Sequence, residues 1–177
     1  MRLRASQHHR RGGAAVEFAI VLTLVLVPTL IGVWEVGRLV QVQQIVASSA
    51  REGARLAAQA VTITPEGQRT EIMTTTGTPN VKRTVYQYLV LNGLPSLLES
   101  DVQVDFKFVT GLQATNPAAN PYQGVKGDRF EVVVTIPFSK VKWVNLGLVN
   151  PQYVSFMVSW TMLVDDPFVI NPDLPTW

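Results

Sequence analysis

Residues 18–34 read FAIVLTLVLVPTLIGVW, seventeen consecutive positions without a charge and with threonine the only hydroxyl-bearing side chain. Such a run leaves few options, because so apolar a helix must lie in lipid or be surrounded by protein. About 20 apolar residues cross the hydrocarbon core of a bilayer, so this run sits at the short end of a membrane span. A cleaved secretory signal would end in a site with small residues, and the continuation after Leu30, IGVWEVGRL, offers none. A buried core helix would need more surrounding protein than a chain of 177 residues can supply. The run is therefore read as a single transmembrane segment. Pro28 falls inside it, which membrane helices tolerate where neighbours satisfy the freed carbonyl.

Charge gives the expected orientation. Arg2, Arg4, Arg10 and Arg11 precede the run and account for four of the fifteen basic residues, leaving eleven against thirteen acidic ones in the rest of the chain. The positive-inside rule then places the N-terminus in the cytoplasm and the bulk of the chain outside, with Trp34 at the far interface. A nucleic-acid reader is expected to carry its basic residues on a folded face, whereas here they lie on a tail, so no nucleic-acid partner is expected.

Helical periodicity continues past the membrane. Val36, Leu39, Gln43, Ala47, Ala50, Ala54 and Ala57 recur at three- and four-residue spacing, and no proline intervenes between Pro28 and Pro65. One helix of about forty residues, roughly 60 Å long, is expected. Its outer part is rich in small side chains, among them Ala47, Ser48, Ser49, Ala50, Gly53, Ala54, Ala57 and Ala58, which let another element approach closely. The chain accordingly divides into a basic cytoplasmic leader over residues 1–12, a long helix over 13–60 and an extracytoplasmic domain over 61–177.

Within that last part, residues 66–77 read as loop with at most a helical turn. Thr78 followed by Pro79 reads as an N-cap and first helical position. Val81, Val85, Tyr88 and Leu89 then form one apolar face, and Gly93 and Pro95 end a second helix. Three runs alternate with period two: Val102, Val104, Phe106 and Phe108; then Phe130, Val132, Val134, Ile136 and Phe138; then Val154, Phe156, Val158, Trp160, Met162 and Val164. The intervening positions are mostly polar. This pattern predicts a three-stranded sheet with one covered face, and the long connections allow an antiparallel arrangement. The expected fold class is α+β: a long transmembrane helix, a second helix and a small sheet.

Catalytic chemistry is hard to find. Both histidines, His8 and His9, lie in the basic leader, there is no cysteine, and no serine has a histidine partner beyond the leader. Asp165 and Asp166 are adjacent carboxylates without the glycine turn or further oxygen ligands of a cation site, and read as a solvated turn before Pro167. The expectation is a protein that is not an enzyme and has no metal, cofactor or small-molecule substrate.

Two short stretches carry more information. Glu17 stands directly before the apolar run, where an ionisable group invites a functional reading, although a glutamate in a first helical turn also complements the helix dipole. Around it the order is Arg10-Arg11-Gly12-Gly13-Ala14-Ala15-Val16-Glu17-Phe18. In the second stretch, REGAR at residues 51–55, Glu52 and Arg55 can pair on the helix surface for a few tenths of a kcal/mol. Gly53 costs the helix about 1 kcal/mol against alanine, which points to close packing. Either the sheet of the same chain or a partner's helix can occupy that stripe.

Gly-x-x-x-x-Glu-Phe at this place resembles the processing signature of type IV prepilins and pseudopilins. The stretches RRGGAAVEFAIVL, VWEVGRLVQVQQIVASSAREGARLAA and VSFMVSWTM are similar to those of the TadE-like proteins of tight-adherence (Flp) pilus assembly. The resemblance implies cleavage by a membrane-bound prepilin peptidase between Gly12 and Gly13, placing Glu17 at the fifth mature position; a cut after Gly13 would place it at the fourth. It implies that the freed amine pairs with Glu17 of the same or a neighbouring subunit, and that Phe18 belongs to the same recognition element. It also implies a bacterial inner-membrane location, with the lipid bilayer, the peptidase and other pilus-assembly or pseudopilin-like proteins as partners. The alternative from another class is a signal-anchored extracytoplasmic binding module that retains its leader.

Overall fold

A computed structural model describes residues 8–63, 66–142 and 151–164. These form two compact units, the first reaching to Val40 and the second comprising Gln41–Val141 and residues 151–164. Helix α1, His8–Ala57, supplies residues to both. Asp165 and Asp166 lie outside the described residues.

Over residues 18–34, in the first unit, α1 is apolar on every side. Its most apolar stretch has a mean hydropathy of 2.4 and none of it is buried. Phe18 is 68% exposed, Leu24 74% and Val33 67%. Leaving a large apolar side chain in water forfeits about 1.5–3 kcal/mol of burial, so this surface as a whole would cost tens of kcal/mol in an aqueous setting. The helix is long and apolar enough to cross a membrane, as the run at 18–34 predicts. Its hydroxyls fold back onto the backbone: Thr23 donates to the Ala19 carbonyl at 2.8 Å and Thr29 to the Val25 carbonyl at 2.7 Å, so neither presents an unsatisfied donor.

In the second unit α1 becomes one-sided. Val42, Val46, Ser49, Ala50, Gly53, Ala54 and Ala57 are buried at three- and four-residue spacing, while Gln43, Gln44, Arg51 and Arg55 face solvent. Ser49, fully buried, donates to the Val46 carbonyl at 2.8 Å. Helix α2, Val81–Leu91, buries Val81, Val85 and Leu89. Gly53 faces Val81 and Val85, and a shallow cleft nearer Gln41 is lined by Gln44 and Ser48 of α1 with Tyr88 of α2 and its C-cap Asn92. The two helices therefore run antiparallel.

The start of α2 differs from the expectation. Asn80, not Thr78, is the N-cap: its side-chain oxygen accepts the Arg83 backbone N–H at 2.7 Å and its amide donates to the Gly77 carbonyl at 2.7 Å. Pro79 precedes the cap, and the Thr78-Pro79 bond is cis. A second difference falls in residues 66–77, read as loop, where Arg69–Glu71 (β2) pairs antiparallel with Val61–Ile63 (β1). Each strand has three residues, too few to show a period in sequence.

The sheet follows the alternation. Strands β3, Gln103–Phe108, β4, Arg129–Pro137, and β5, Tyr153–Thr161, form an antiparallel sheet in the order β3-β4-β5. Val104 lies opposite Val134 and Val134 opposite Phe156, so the three apolar rows share one face. Phe106, Phe108 and Phe130 cluster there with ring centroids 4.9–6.4 Å apart, within the range of favourable aromatic pairs. The covered face fails in one place: Trp160 on β5 is 37% exposed and Phe156 half-buried, because β5 is an edge strand. The loop after β3 is tied down where the Tyr122 N–H donates to the Ile72 carbonyl and Asn120 accepts from the Thr74 N–H, both at 3.2 Å.

Candidate functional site

The residues singled out in sequence fall into two groups on α1, one in each unit. In the first, Gly12 and Gly13 are exposed helical positions, and nothing lies within 4 Å of where a side chain would start. Such openness suits access by a protease. Glu17 is exposed between Val16, 61% exposed, and Phe18, 68% exposed, a lone carboxylate at the margin of an apolar surface. Among the described residues no hydrogen bond or ion pair reaches it.

Helical geometry relates these groups. Residues four apart share a face one turn apart, and helical side chains lean toward the N-terminus. Glu17 thus leans toward Gly13, and an amine created on Gly13 would lie about 6 Å away along that face. An amine on Ala14 would stand three residues before Glu17 and share that face as well. In a medium of low dielectric such a pair attracts far more strongly than in water.

The second group is Arg51, Glu52, Gly53 and Arg55. Arg55 donates to Glu52 through two nitrogens, Nε to Oε2 at 3.0 Å and Nη2 to Oε1 at 2.5 Å. This hydrogen-bonded guanidinium holds the Glu52 carboxyl below the usual glutamate range, and the carboxylate in turn raises Arg55. Both are substantially exposed, so the pair orders a surface more than it stabilises a fold. Gly53 is buried, and the element against it is α2, with Val85 and Val81 nearest. The sheet approaches the same stretch elsewhere, through Arg51, whose guanidinium lies 5.6 Å from the centroid of the Phe156 ring, within cation–π range. REGAR therefore organises the second unit internally on three sides: a helix on the glycine, a sheet on Arg51 and a surface ion pair between them.

Two further ionisable residues of α1 are buried. Glu35 and Arg38 are only 8% and 7% exposed although both are ionisable, and burial pushes the Arg38 guanidinium below its ordinary range. Neither lacks a partner. The signal in the sequence is two charges, Glu35 and Arg38, three positions apart on one helical face directly after the apolar run. Among the described residues, no three metal-ligating side chains come together.

No curated protein and no solved structure gives a significant match to this chain. A family model does match, over residues 12–55, from the first glycine of the pair, through the carboxylate and the apolar run, to the last arginine of REGAR. That family is TadE, described as TadE-like protein, and the similarity covers about a quarter of the chain.

Proposed function

We propose that this chain is a membrane-anchored, pseudopilin-like component of tight-adherence pilus assembly or secretion, and that it is not an enzyme. Its single span would hold the N-terminus in the cytoplasm and the second unit outside the inner membrane. The observation that carries this reading is the TadE-like match over residues 12–55, which takes in Gly12, Glu17, the apolar run and REGAR together. The exposure of Gly12 and the one-turn relation of Gly13 to Glu17 support it, because one permits cleavage and the other gives the new amine a carboxylate to meet. Cleavage would remove the four leader arginines and leave anchoring to the apolar run.

The test is N-terminal mass spectrometry on protein purified from its native membranes, with the Gly12→Leu variant alongside. The expected result is a mature chain starting at Gly13 or Ala14, and a variant that keeps Met1 or its immediate neighbours because a bulky side chain blocks the scissile position. A chain that retains its leader in both forms favours the signal-anchored binding module instead.

A further inference from the structure

We infer that the outer edge of β5 is a docking site for an extended strand of another protein. The register of the sheet shows which backbone groups are available. The Phe138 N–H donates to the Gln152 carbonyl and the Met162 N–H to the Asp128 carbonyl, so the even-numbered positions of β5 bond toward β4. In an antiparallel ladder the alternate residues then turn their N–H and C=O groups outward. These are Tyr153, Ser155, Met157, Ser159 and Thr161, all exposed. Among the described residues no backbone hydrogen bond reaches that row. The next outward N–H, of Leu163, donates to the Ala58 carbonyl at 2.8 Å, so among the described residues the edge is occupied just beyond the strand and open along it.

Natural sheets protect free edges with charged side chains, prolines, bulges or short strands. The opposite edge strand obeys this rule: β3 has six residues and carries Asp105 and Lys107. β5 does not. It has nine residues, YVSFMVSWT, without charge or proline, and pairs with β4 without a bulge. Its half-buried Phe156 and 37%-exposed Trp160 leave apolar area on the inner face that an added strand would cover. The outer face there offers Ser155, Met157 and Ser159. The occupant that fits is an uncharged strand with apolar side chains on the Phe156 and Trp160 side and small polar ones on the other.

A second copy of this chain fits less well, an argument that rests on the membrane anchoring proposed above. Arg51 lies over Phe156 and Ala58 bonds Leu163, so α1 and β5 run in the same direction. Antiparallel pairing of two β5 strands would then point the two α1 helices in opposite directions, which two copies entering from one membrane cannot satisfy.

The experiment is photo-cross-linking in native membranes, with a photoreactive residue placed at Ser155 or Ser159 and the products identified by mass spectrometry. Facing strands put same-face side chains about 5 Å apart, so both positions are expected to reach one peptide of another protein, at residues four apart. The same residue placed at Lys107 on β3 should yield no such product. Met157→Pro removes an outward N–H without touching the β4 ladder, and Met157→Lys adds a charge to the edge; each should lower the cross-link roughly tenfold. Products confined to this chain's own peptides, from the same or another copy, or no product at all, overturn the inference. Protease accessibility of the second unit in the same cells scores the anchoring separately, so its failure is distinguishable from failure of the edge.

Discussion

A methyl group at Gly53 would stand 2.6 Å from Val85 Cγ2 and 3.2 Å from Val81 Cγ1. Carbons in favourable contact are about 3.5–4.0 Å apart, so the nearer approach is roughly 1 Å too close. Valine in a helix has essentially one side-chain rotamer, and Val85 cannot swing away. The helices must separate instead. At an unpacked helical position Gly→Ala gains about 1 kcal/mol, whereas overpacking costs about 1–3 kcal/mol. Gly53→Ala should therefore be destabilising by about 0–2 kcal/mol net, and Gly53→Leu by about 3 kcal/mol or more. Gly37→Ala is the matched control, because nothing lies within 4 Å of that position. Urea unfolding of the full chain in detergent, followed by circular dichroism, measures these differences. Adding Val85→Ala to Gly53→Ala removes the methyl groups that are struck, and should reveal a coupling of about 0.5–3 kcal/mol. If Gly53→Ala were instead to stabilise by about 1 kcal/mol and combine additively with Val85→Ala, the close contact with α2 would be refuted.

The sheet gives a second prediction: Val134→Asp buries an unpaired charge at a fully buried position and should cost several kcal/mol, while Ser155→Asp on the exposed face should be tolerated; equal protease resistance of the two variants would contradict the face assignment. Glu52 is held below its ordinary value of 4.5 by its bond to Arg55, so its contribution to stability is complete above that pH and is lost as pH falls through the lowered value. Melting temperatures between pH 3 and pH 6 should thus fall less steeply for Glu52→Gln than for the unmodified chain, and identical curves would show that the pair contributes nothing. Glu17→Ala should insert and be cleaved normally yet associate poorly with pilus partners, as read by co-purification and surface adhesion; unchanged association would leave Glu17 as a helix-dipole residue only. A reporter that functions only outside the cytoplasm should be active when fused after Trp177, and activity confined to a cytoplasmic reporter would reverse the orientation.

What could be read from the chain alone depended on repetition. Seventeen uncharged residues in a row give a helix long and apolar enough to cross a membrane, a property of length and composition that needs no knowledge of tertiary contacts. The alternation in β3, β4 and β5 likewise determined which face is covered, because a period of two has only two solutions. Cap and hairpin had no such redundancy. Asn80 displaced Thr78 through two hydrogen bonds that one backbone geometry permits, and β1 and β2 are strands only because they pair with each other. The functional stretches divide the same way. Gly12, Glu17 and Phe18 stand as candidates on a linear pattern beside an apolar run, their mutual relation set by helical spacing alone. REGAR announced in sequence that something packs closely on Gly53, but a stripe of small residues does not say what. Tertiary structure decided that it is α2, with the sheet at Arg51 instead, because complementary shape between elements distant in the chain leaves no periodic trace in either one. The open edge of β5 is of both kinds: its lack of charge is written in the sequence, while its position at the end of the sheet follows only from strand order.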